Sequence, residues 1–432
     1  MIEILRNAWK IHDLRKKILF TIFILVVFRF GSQIFVPFVN TAEFSDMFQE
    51  TLGNTTLGLL NMMSGGAFSQ ASMFALSIQP YINASIIMNL LTVGIPALER
   101  MQKEGGEEGR KKIAAITRYA TVLLALLIGW GNYTLIRSFH FDPRGGEILT
   151  NTGVFAGIVI VLTLTAGSAF IMWMGEQITE FGVGNGISII LFASIVSRGP
   201  SMIYAATQGL VNRSLSWFGV LGIIVFAIAI VAFVVYITTA ERRIPIQYSK
   251  RMIGRKMYGG QSTHLPLKVN MSGVMPIIFA SSIVSFPATI AAFVYRGAEN
   301  NPIDRFFGYN SVMYAVIYFL MIIAFSYFYQ AIQFNPVEIA NNLRQNGGFI
   351  PGFRPGKPTS DFIRKVLNKI TLFGAIFLGI VAVLPIVMSQ FLTVQGLAMG
   401  GTSLLIVVGV ALETVKNIES QMLMRNYKGF LE

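Results

Sequence analysis

Ten long apolar segments, separated by short polar stretches, constrain the fold of this chain more than any other feature of its sequence. They lie near residues 18–37, 73–94, 114–136, 152–173, 186–204, 216–238, 270–295, 311–333, 370–390 and 399–415. Each approaches the roughly 20 residues that a helix needs to cross a bilayer. Backbone amides in hydrocarbon must also find their hydrogen bonds within the segment, so these segments are expected to be helices. Since charged residues make up 13% of the chain, against about 25% in soluble proteins, we expect an all-α, multi-pass integral membrane protein.

A shorter apolar piece precedes the second of these segments. Residues 57–91 read LGLLNMMSGGAFSQASMFALSIQPYINASIIMNLL, and the run breaks at Ser64, Gly65 and Gly66. About a dozen residues of helix cannot cross a core of roughly 30 Å at 1.5 Å per residue. The pattern therefore predicts either a re-entrant helix buried inside the protein or a helix that lies at the membrane surface.

The distribution of basic residues predicts the orientation. With ten spans both termini share one side, and 27 of the 34 Lys and Arg residues fall on that side. Six fall on the opposite side, and Arg29 lies within the first predicted span. Because cytoplasmic loops carry the excess of Lys and Arg, both termini are expected in the cytoplasm.

The residues inside the spans disfavour several function classes. The chain has no cysteine, and its three histidines (His12, His140 and His264) show no ligand spacing, so neither a metal site nor a cofactor is expected. Carboxylates are absent from the predicted span interiors, whereas ion-coupled carriers usually keep them at mid-membrane. Composition alone leaves three alternatives: a channel, a secondary transporter of small solutes, and a membrane-embedded enzyme, which would need catalytic residues that the predicted spans lack.

Two local features each allow a functional and a plain interpretation. Arg29 is either a charge in a pore or in contact with lipid, or an arginine paired with carbonyls or reaching the interface; the second interpretation is favoured. The GVGNG run after Glu180 has no preceding strand and no following Lys-Ser/Thr, so it predicts a turn rather than a phosphate loop.

Five blocks of the sequence carry a resemblance to a known family. They read NMMSGGAFSQASMFALSIQPYINASII, WMGEQITEFGVGNGISII, QSTHLPLKVNMSGVMPIIFASSI, NPVEIANNLRQNGGFIPGFRPG and GGTSLLIVVGVALETV. They resemble the SecY family, the channel subunit of the general protein-secretion translocase. The resemblance implies two inverted five-span halves in a bacterial plasma membrane. These would be residues 1–205, with spans one to five and a plug at about 57–69, and residues 206–432, with spans six to ten and cytoplasmic loops 239–269 and 334–369.

The resemblance also implies which residues form the pore. A re-entrant plug would comprise Asn61, Met62, Met63, Ser64, Gly65, Gly66, Ala67 and Phe68. An aliphatic ring would close the pore with Ile78, Ile82, Ile187, Leu191, Ile278 and Ile406. A lateral gate between the second and seventh spans would include Asn83, Asn89, Ser282 and Ser285. From the residues alone, ordinary packing of small side chains explains the second and seventh spans equally well.

The resemblance implies a docking surface on the cytoplasmic loops. Its basic members would be Arg242, Arg243, Arg251, Arg255, Lys256 and Arg354. The SecA motor ATPase or the ribosome would dock there, with SecE and SecG as small membrane subunits. The translocating preprotein, its signal peptide and the lipid bilayer would be the remaining partners. For most of these cations, orientation in the membrane is a sufficient explanation. In the second loop, Asn335 and Pro336 predict the start of a helix.

Overall fold

The structure is a computed structural model, which describes most of the chain. The described residues are 2–52, 56–103, 105–140, 147–201, 203–204, 207, 217–248, 251–253, 256–258, 262–271, 273–294, 308, 311–391 and 397–428.

Helices dominate the described residues. In chain order they are α1 Ile2–Lys10, α2 His12–Gly31, α3 Thr41–Met47, α4 Thr56–Met63, α5 Gln79–Gly94, α6 Pro96–Lys103, α7 Gly106–His140, α8 Val154–Phe181, α9 Gly186–Val196, α10 Trp217–Thr239, α11 Met275–Val294, α12 Val312–Gln333, α13 Pro336–Gln345, α14 Lys357–Phe391 and α15 Leu397–Lys428. A π-helical turn, Phe48–Leu52, continues α3. Each of the ten apolar segments overlaps one of these helices, so the helical prediction is confirmed in type, although several boundaries differ.

Four helical stretches of the described residues are long and apolar enough to cross a membrane. They are Gly106–His140, Val154–Phe181, Val312–Gln345 and Lys357–Leu384. A fifth candidate is the pair Gln79–Gly94 and Pro96–Gln102, which is bent by 105°. The chain is therefore mainly helical, with several spans of a multi-pass membrane protein, and the count of ten crossings stays a prediction.

The predicted start of the second span is wrong. Helix α5 begins at Gln79, whereas hydropathy placed the start near residue 73, because residues 64–78 form turns around the bridging residue Ser72. Ala71 and Ser77 adopt positive φ angles of 45° and 50°, which a continuing right-handed helix does not permit. Pro80 then lies in the first turn of α5, where its missing N–H has no helical partner to lose.

The all-α prediction is also wrong in the loop at 239–269, which contains a small antiparallel sheet. Strand β1 (Glu241–Tyr248) pairs with β4 (Ser262–Lys268) and with the short β5 (Gly348–Phe349), and β2 (Arg251–Ile253) pairs with β3 (Lys256–Tyr258). Along β1, Ile244 and Ile246 are buried while their neighbours are exposed. This alternation is the period-2 pattern of a strand with one covered face.

Two large hydrophobic clusters organise the helices. The central cluster takes its buried members from Ile24 to Leu412, that is, from both halves of the chain. The outer cluster takes all its buried members from Val36 to Leu164, within the first half. The two halves meet at several helix pairs, among them α5–α11, α9–α15, α1–α15 and α7–α11. We call the α5–α11 and α9–α15 pairs seams. Helix α4 contacts α9, α11 and α15, which places it where these seams converge.

Two isolated β-bridges connect the segments outside the helices. One pairs Phe35 with Ser72, and the other pairs Val39 with Leu149. In the first, the N–H of Val36 donates to the carbonyl of Ala71 at 2.9 Å. The segment that follows α2 is thereby fastened both to the turns before α5 and to the connection between α7 and α8.

Candidate functional site: an aliphatic ring, a buried segment and a polar seam

Five of the six residues expected in the pore ring are buried in the central cluster, and Ile187 packs against it. Two lie on α5 or at its cap, two on α9, one on α11 and one on α15. In chain order they are Ile78, Ile82, Ile187, Leu191, Ile278 and Ile406. Ile187 is half-buried, and the other five are at most 4% exposed. Four helices from both halves therefore contribute these branched aliphatic side chains to one continuous apolar cluster, where they offer water no hydrogen bonds.

A side-chain cap fixes where α9 begins, and therefore where its two ring residues lie. Asn185 Oδ1 accepts hydrogen bonds from the N–H of Ile187 at 3.1 Å and from the N–H of Ser188 at 3.4 Å. Gly184, at φ 74°, turns the chain into this cap. The turn predicted for GVGNG is confirmed. Ile187 and Leu191 are four residues apart, so both lie on one side of the helix.

The segment 61–68 is buried, although half of its residues are polar or glycine. Asn61, Ser64 and Phe68 are 6%, 1% and 4% exposed. Ser64 Oγ donates to the carbonyl of Asn61 at 3.0 Å and accepts from the N–H of Phe68 at 3.2 Å. Asn61 Oδ1 accepts from the N–H of Ser69 at 2.9 Å. These bonds satisfy polar groups that would otherwise be costly to bury.

Gly65 allows this segment to approach the last turn of α9. A Cβ atom at Gly65 would lie 2.8 Å from the carbonyl oxygen of Ser194 and 2.9 Å from Ser197 Oγ. The φ angle of Gly65 is 70°, a conformation that residues with a side chain rarely adopt. Both the space and the backbone therefore require glycine here.

The segment contacts both hydrophobic clusters. Met63 and Ala67, four residues apart, belong to the central cluster with the aliphatic ring. Leu57 and Phe68 belong to the outer cluster. One side of the segment therefore packs against residues from both halves of the chain, and the other side packs against the first half.

The seam between α5 and α11 is polar at the positions expected for a lateral gate. Asn83 and Ser285 line a small cavity there, Ser282 is 1% exposed, and Asn89 is half-buried on α5. Within the described residues, Ser282 Oγ has no hydrogen-bond partner. A buried hydroxyl without a partner weakens the packing of a seam, since its desolvation is not compensated.

Sequence reasoning missed other polar side chains that line the same cavity. They are Ser77, Gln79, Asn132 and Thr289. Asn132 lies on α7, and its Nδ2 donates to the carbonyl of Ile128 at 3.1 Å. An amide at the end of the apolar stretch 122–131 of α7 was the available signal, because such residues in membrane helices usually face a protein interior or a cavity. The segment 61–68 contributes Met63 and Phe68 to the lining.

The structure describes the expected docking residues only in part. Arg242 and Arg243 are exposed on β1, and Arg243 Nη2 lies 2.8 Å from Glu241 Oε1. Arg251 and Lys256 lie in β2 and β3, and Arg255 lies outside the described residues.

Arg354 is exposed at the tip between β5 and α14. Its carbonyl accepts a 2.8 Å hydrogen bond from Thr359 Oγ1. Gly352 and Gly356 have φ angles of 88° and 104° on either side of it. The tip is therefore a defined turn that presents one cation to solvent.

Arg29 lies at the end of α2 rather than in the middle of a span, because the helix stops at Gly31. Its Nη1 is 3.5 Å from Ser197 Oγ, and the side chain is exposed. The favoured interpretation, an arginine that reaches the interface, agrees with this position. Among the described residues, no group of three His, Cys, Asp or Glu side chains is placed to hold a metal ion.

A model of the SecY family matches residues 72–415. The chain belongs to the SecY family. It is 46% identical to the protein translocase subunit SecY of Streptomyces galbus over 439 residues, covering 100% of both chains. It is 43% identical to SecY of Mycobacterium tuberculosis (strain ATCC 25618 / H37Rv) over 443 residues, covering 97% of both. Membership of the SecY family supports a translocation channel rather than a transporter of small solutes or an enzyme.

Solved structures show the same fold. The SecY-family chain is similar to a protein-conducting channel with a TM-score of 0.67 and 17% identity, covering 94% of this chain and 92% of that one. It is also similar to a SecY structure concerned with how the plug domain stabilises the closed channel and maintains a membrane seal, with a TM-score of 0.65 and 17% identity over the same shares. Sec61 in a canine ribosome-channel complex gives a TM-score of 0.64 at 16% identity, covering 94% and 92%.

Proposed function

We propose that this chain is a protein-conducting channel that translocates unfolded secretory polypeptides across the bacterial plasma membrane. Its second activity is the lateral release of hydrophobic segments into the bilayer. The observation that carries the proposal is the central cluster: helices of both halves contribute buried aliphatic side chains to it, the six ring candidates among or against them, and the buried segment 61–68 packs into the same cluster through Met63 and Ala67. An aliphatic neck dewets and resists ion flow, yet its side chains deform around any passing peptide.

The proposed architecture has ten spans in two halves, residues 1–205 and 206–432, with both termini in the cytoplasm. Three observations support it. The ten apolar segments all overlap helices, the halves meet at the α5–α11 and α9–α15 seams, and 27 of the 34 Lys and Arg residues lie on the proposed cytoplasmic side.

Residues 61–68 act as the plug in this proposal. The segment is largely buried, and α4, which ends within it, contacts α9, α11 and α15. Non-spanning backbone survives at membrane depth only when it is buried in protein or lines a cavity. Its polar groups are hydrogen-bonded within the segment, so it moves as a unit without exposing them to hydrocarbon.

The lateral gate is the α5–α11 seam, with Asn83, Asn89, Ser282 and Ser285 as its polar members. The buried hydroxyl of Ser282, which has no partner among the residues that the structure describes, and the cavity beside Ser285 support a seam that opens at low energetic cost. Hydrogen bonds between membrane helices average only about 0.6 kcal/mol. A signal peptide leaves through the gate because each Leu or Ile gains about 0.3–0.6 kcal/mol at the bilayer centre.

The proposed partners are SecE, SecG, the SecA motor ATPase and the ribosome. The basic sheet at 241–268 and the tip at Arg354 provide the docking surface, since exposed cations attract acidic protein surfaces and ribosomal RNA phosphates. The chain itself hydrolyses nothing in this scheme, and SecA, translation or the membrane potential supplies the energy.

Reconstitution tests the proposal. Vesicles carrying the chain with SecE- and SecG-like subunits, supplied with SecA, ATP and an unfolded preprotein, should convert the preprotein to a protease-protected form. A preprotein whose signal helix carries two added charges is the matched negative substrate. Protection of both preproteins alike, or of neither in vesicles that contain folded channel, would contradict the proposed function.

The gate assignment can be tested by thiol cross-linking, because the chain contains no native cysteine that would react. The double variant Asn83→Cys, Ser285→Cys places one thiol on each side of the seam. Cross-linking should stop the lateral release of a hydrophobic segment, and reduction should restore it. The two single-cysteine variants are the controls, and normal lateral release by the cross-linked channel would exclude this seam as the gate.

A further inference from the structure

An aromatic cluster covers the outer side of the 61–68 segment. Its members are Phe44, Phe48 and Phe68, which we call the aromatic trio. The ring centroids of Phe48 and Phe68 are 5.4 Å apart with the planes at 59°, and those of Phe44 and Phe48 are 6.2 Å apart at 42°. Phe44 and Phe48 are 2% and 1% exposed. These distances lie within the range at which aromatic rings attract each other beyond the effect of burial.

Two members of the trio, Phe44 and Phe48, lie where α3 ends and a π turn begins. Helix α3 passes into the π turn Phe48–Leu52, and α4 contacts this turn. Such turns are rare and occur frequently at functional sites. The backbone of Phe48 itself is still α-helical, with φ −61° and ψ −42°, and its N–H donates to the carbonyl of Phe44. Phe44 and Phe48 therefore lie one turn apart on the same side of the helix, where Phe48 meets Phe68 from beyond α4.

The segment that carries α3 is anchored to the first half of the protein. The N–H of Asn40 donates to the carbonyl of Ile148 at 2.8 Å, and the N–H of Thr150 donates to the carbonyl of Phe38 at 3.0 Å. These bonds fasten the segment to the connection between α7 and α8. Phe44 and Phe48 therefore belong to a part of the first half that takes no part in the α5–α11 or α9–α15 seam.

Phe68 is fixed to the rest of the buried segment. Its backbone N–H donates to Ser64 Oγ at 3.2 Å, and Ser64 Oγ donates to the carbonyl of Asn61 at 3.0 Å. The end of α4 and the Phe68 ring consequently move together. The segment cannot leave its position beside the aliphatic ring unless Phe68 leaves Phe48.

We propose that Phe48 and Phe44 are positioning residues that hold the segment closed by receiving the ring of Phe68. The inference rests on the proposed role of residues 61–68 as a plug, and it adds a second holding site that separation of the two halves does not release. Parting the seams loosens the side formed by Met63 and Ala67. The Phe48–Phe68 contact persists until the plug itself moves. Losing such a contact should lower the closed-to-open ratio by about two- to tenfold.

Cross-linking tests whether the contact breaks during transport. In the cysteine-free chain, the double variant Phe48→Cys, Phe68→Cys is treated with a short bifunctional thiol reagent. We expect efficient cross-linking in the resting channel and a large loss of cross-linking when a preprotein fused to a tightly folded domain is arrested in the pore. Equal cross-linking in the resting and the occupied channel would overturn the inference, because a merely structural contact does not respond to substrate.

Conductance of the resting channel provides the second test. Phe48→Leu and Phe68→Leu keep most of the buried volume but remove the ring pair, and each should raise the leak by about two- to tenfold. The double variant should leak no more than either single variant, because one contact is lost in all three. An unchanged leak in Phe48→Leu, or an additive leak in the double variant, would refute the contact as a holding site.

Phe362→Leu is the matched control. Phe362 is half-buried on α14, its ring centroid lies 4.2 Å from that of Phe353, and it packs against a cluster around Ile363 and Leu367 that shares no buried member with the central or the outer cluster. Its loss should leave the resting leak unchanged, and an equal rise would attribute the effect to general loosening and overturn the inference. Translocation of a normal preprotein is measured for every variant. Its failure in the unmodified channel would contradict the proposed function, whereas a change confined to leak and cross-linking concerns the trio alone.

Discussion

The buried segment 61–68 and the exposed tip around Arg354 both contain glycines at positive φ, but these glycines have opposite structural roles. Gly65 allows the backbone to lie against α9, where nothing larger fits. Gly352 and Gly356 have open space around them and turn the chain outward so that a cation reaches solvent. Substitutions in the first region should therefore change the barrier of the resting channel. Substitutions in the second should change only transport that a partner drives.

The strongest way to sharpen this comparison is to remove the buried region altogether. Deleting residues 61–68 removes no spanning helix, so the channel should still insert, assemble and translocate. The resting leak should rise further than any single substitution raises it, because both the plug and its share of the central cluster are lost. Bilayer recordings measure the leak, and membrane fractionation measures insertion. A deletion that abolishes insertion would identify the segment as a structural helix instead.

Reversing the charge at Arg354 should have the next largest effect, on the rate of partner-driven translocation rather than on the resting leak. Arg354→Glu should lower SecA-driven translocation by more than about tenfold, since the change removes an attraction and adds a repulsion at the docking surface. The leak should stay at its wild-type value. ATP-driven uptake into vesicles with equal amounts of channel is the measurement.

Arg344→Glu is the control for this change, because Arg344 is an exposed cation at the end of α13 in the same loop. It alters the net charge equally and should barely affect uptake. Similar losses in both variants would mean that the loop responds to total charge, and near-normal uptake by Arg354→Glu would remove the docking role of the tip.

A polar substitution in the aliphatic ring should also raise the resting leak, but by less than the deletion does. Ile406 is 4% exposed, and Asn in its place buries an amide that finds a partner only in water. The neck should hydrate, and the resting leak should rise by about tenfold, with relaxed rejection of defective signal peptides. Ile406→Val keeps the aliphatic surface and is the control. An unchanged closed state in Ile406→Asn would count against the ring.

The smallest expected effect comes from a helix cap near the tip. Asn335 Oδ1 accepts from the N–H of Val337 at 3.2 Å, so Asn335→Ala should destabilise α13 by about 1 kcal/mol. Amide hydrogen exchange in residues 336–345 should accelerate by about fivefold, while leak and uptake change little. Asn342→Ala, an exposed change within the same helix, should not accelerate exchange. A large leak in the cap variant would show that the two regions are coupled.

The sequence predicted those features that the bilayer or the local chain dictates. Long apolar runs must be helical in hydrocarbon, so helix type followed from hydropathy, and the cap at Asn335 followed from a side chain that acts within three residues. The family resemblance named six ring residues; five of them are buried in the large central cluster and Ile187 packs against it, and their closure into a ring stays a prediction.

What remained hidden depends on contacts between remote segments. Hydropathy extended α5 backward through residues 73–78 because it does not detect the positive φ of Ser77. The strand at 241–248 has an alternating pattern, but its sheet forms only when β4 and the distant β5 pair with it. Phe44 and Phe48 looked like two of 35 phenylalanines, and only the fold brings them to Phe68.

The β-bridge between Phe35 and Ser72 limits how far the buried segment 61–68 can move from its position. The bonds on either side of it, at Ala71 and at Met73, fix the downstream end of the buried segment to the first half of the protein. A displaced Asn61, ten residues upstream of Ala71, therefore travels no further than about 35 Å from it even when the chain is fully extended. The displaced segment therefore returns to its closed position by diffusion within that radius, as part of the same molecule. The rate of resealing should therefore be independent of how many channels the membrane contains.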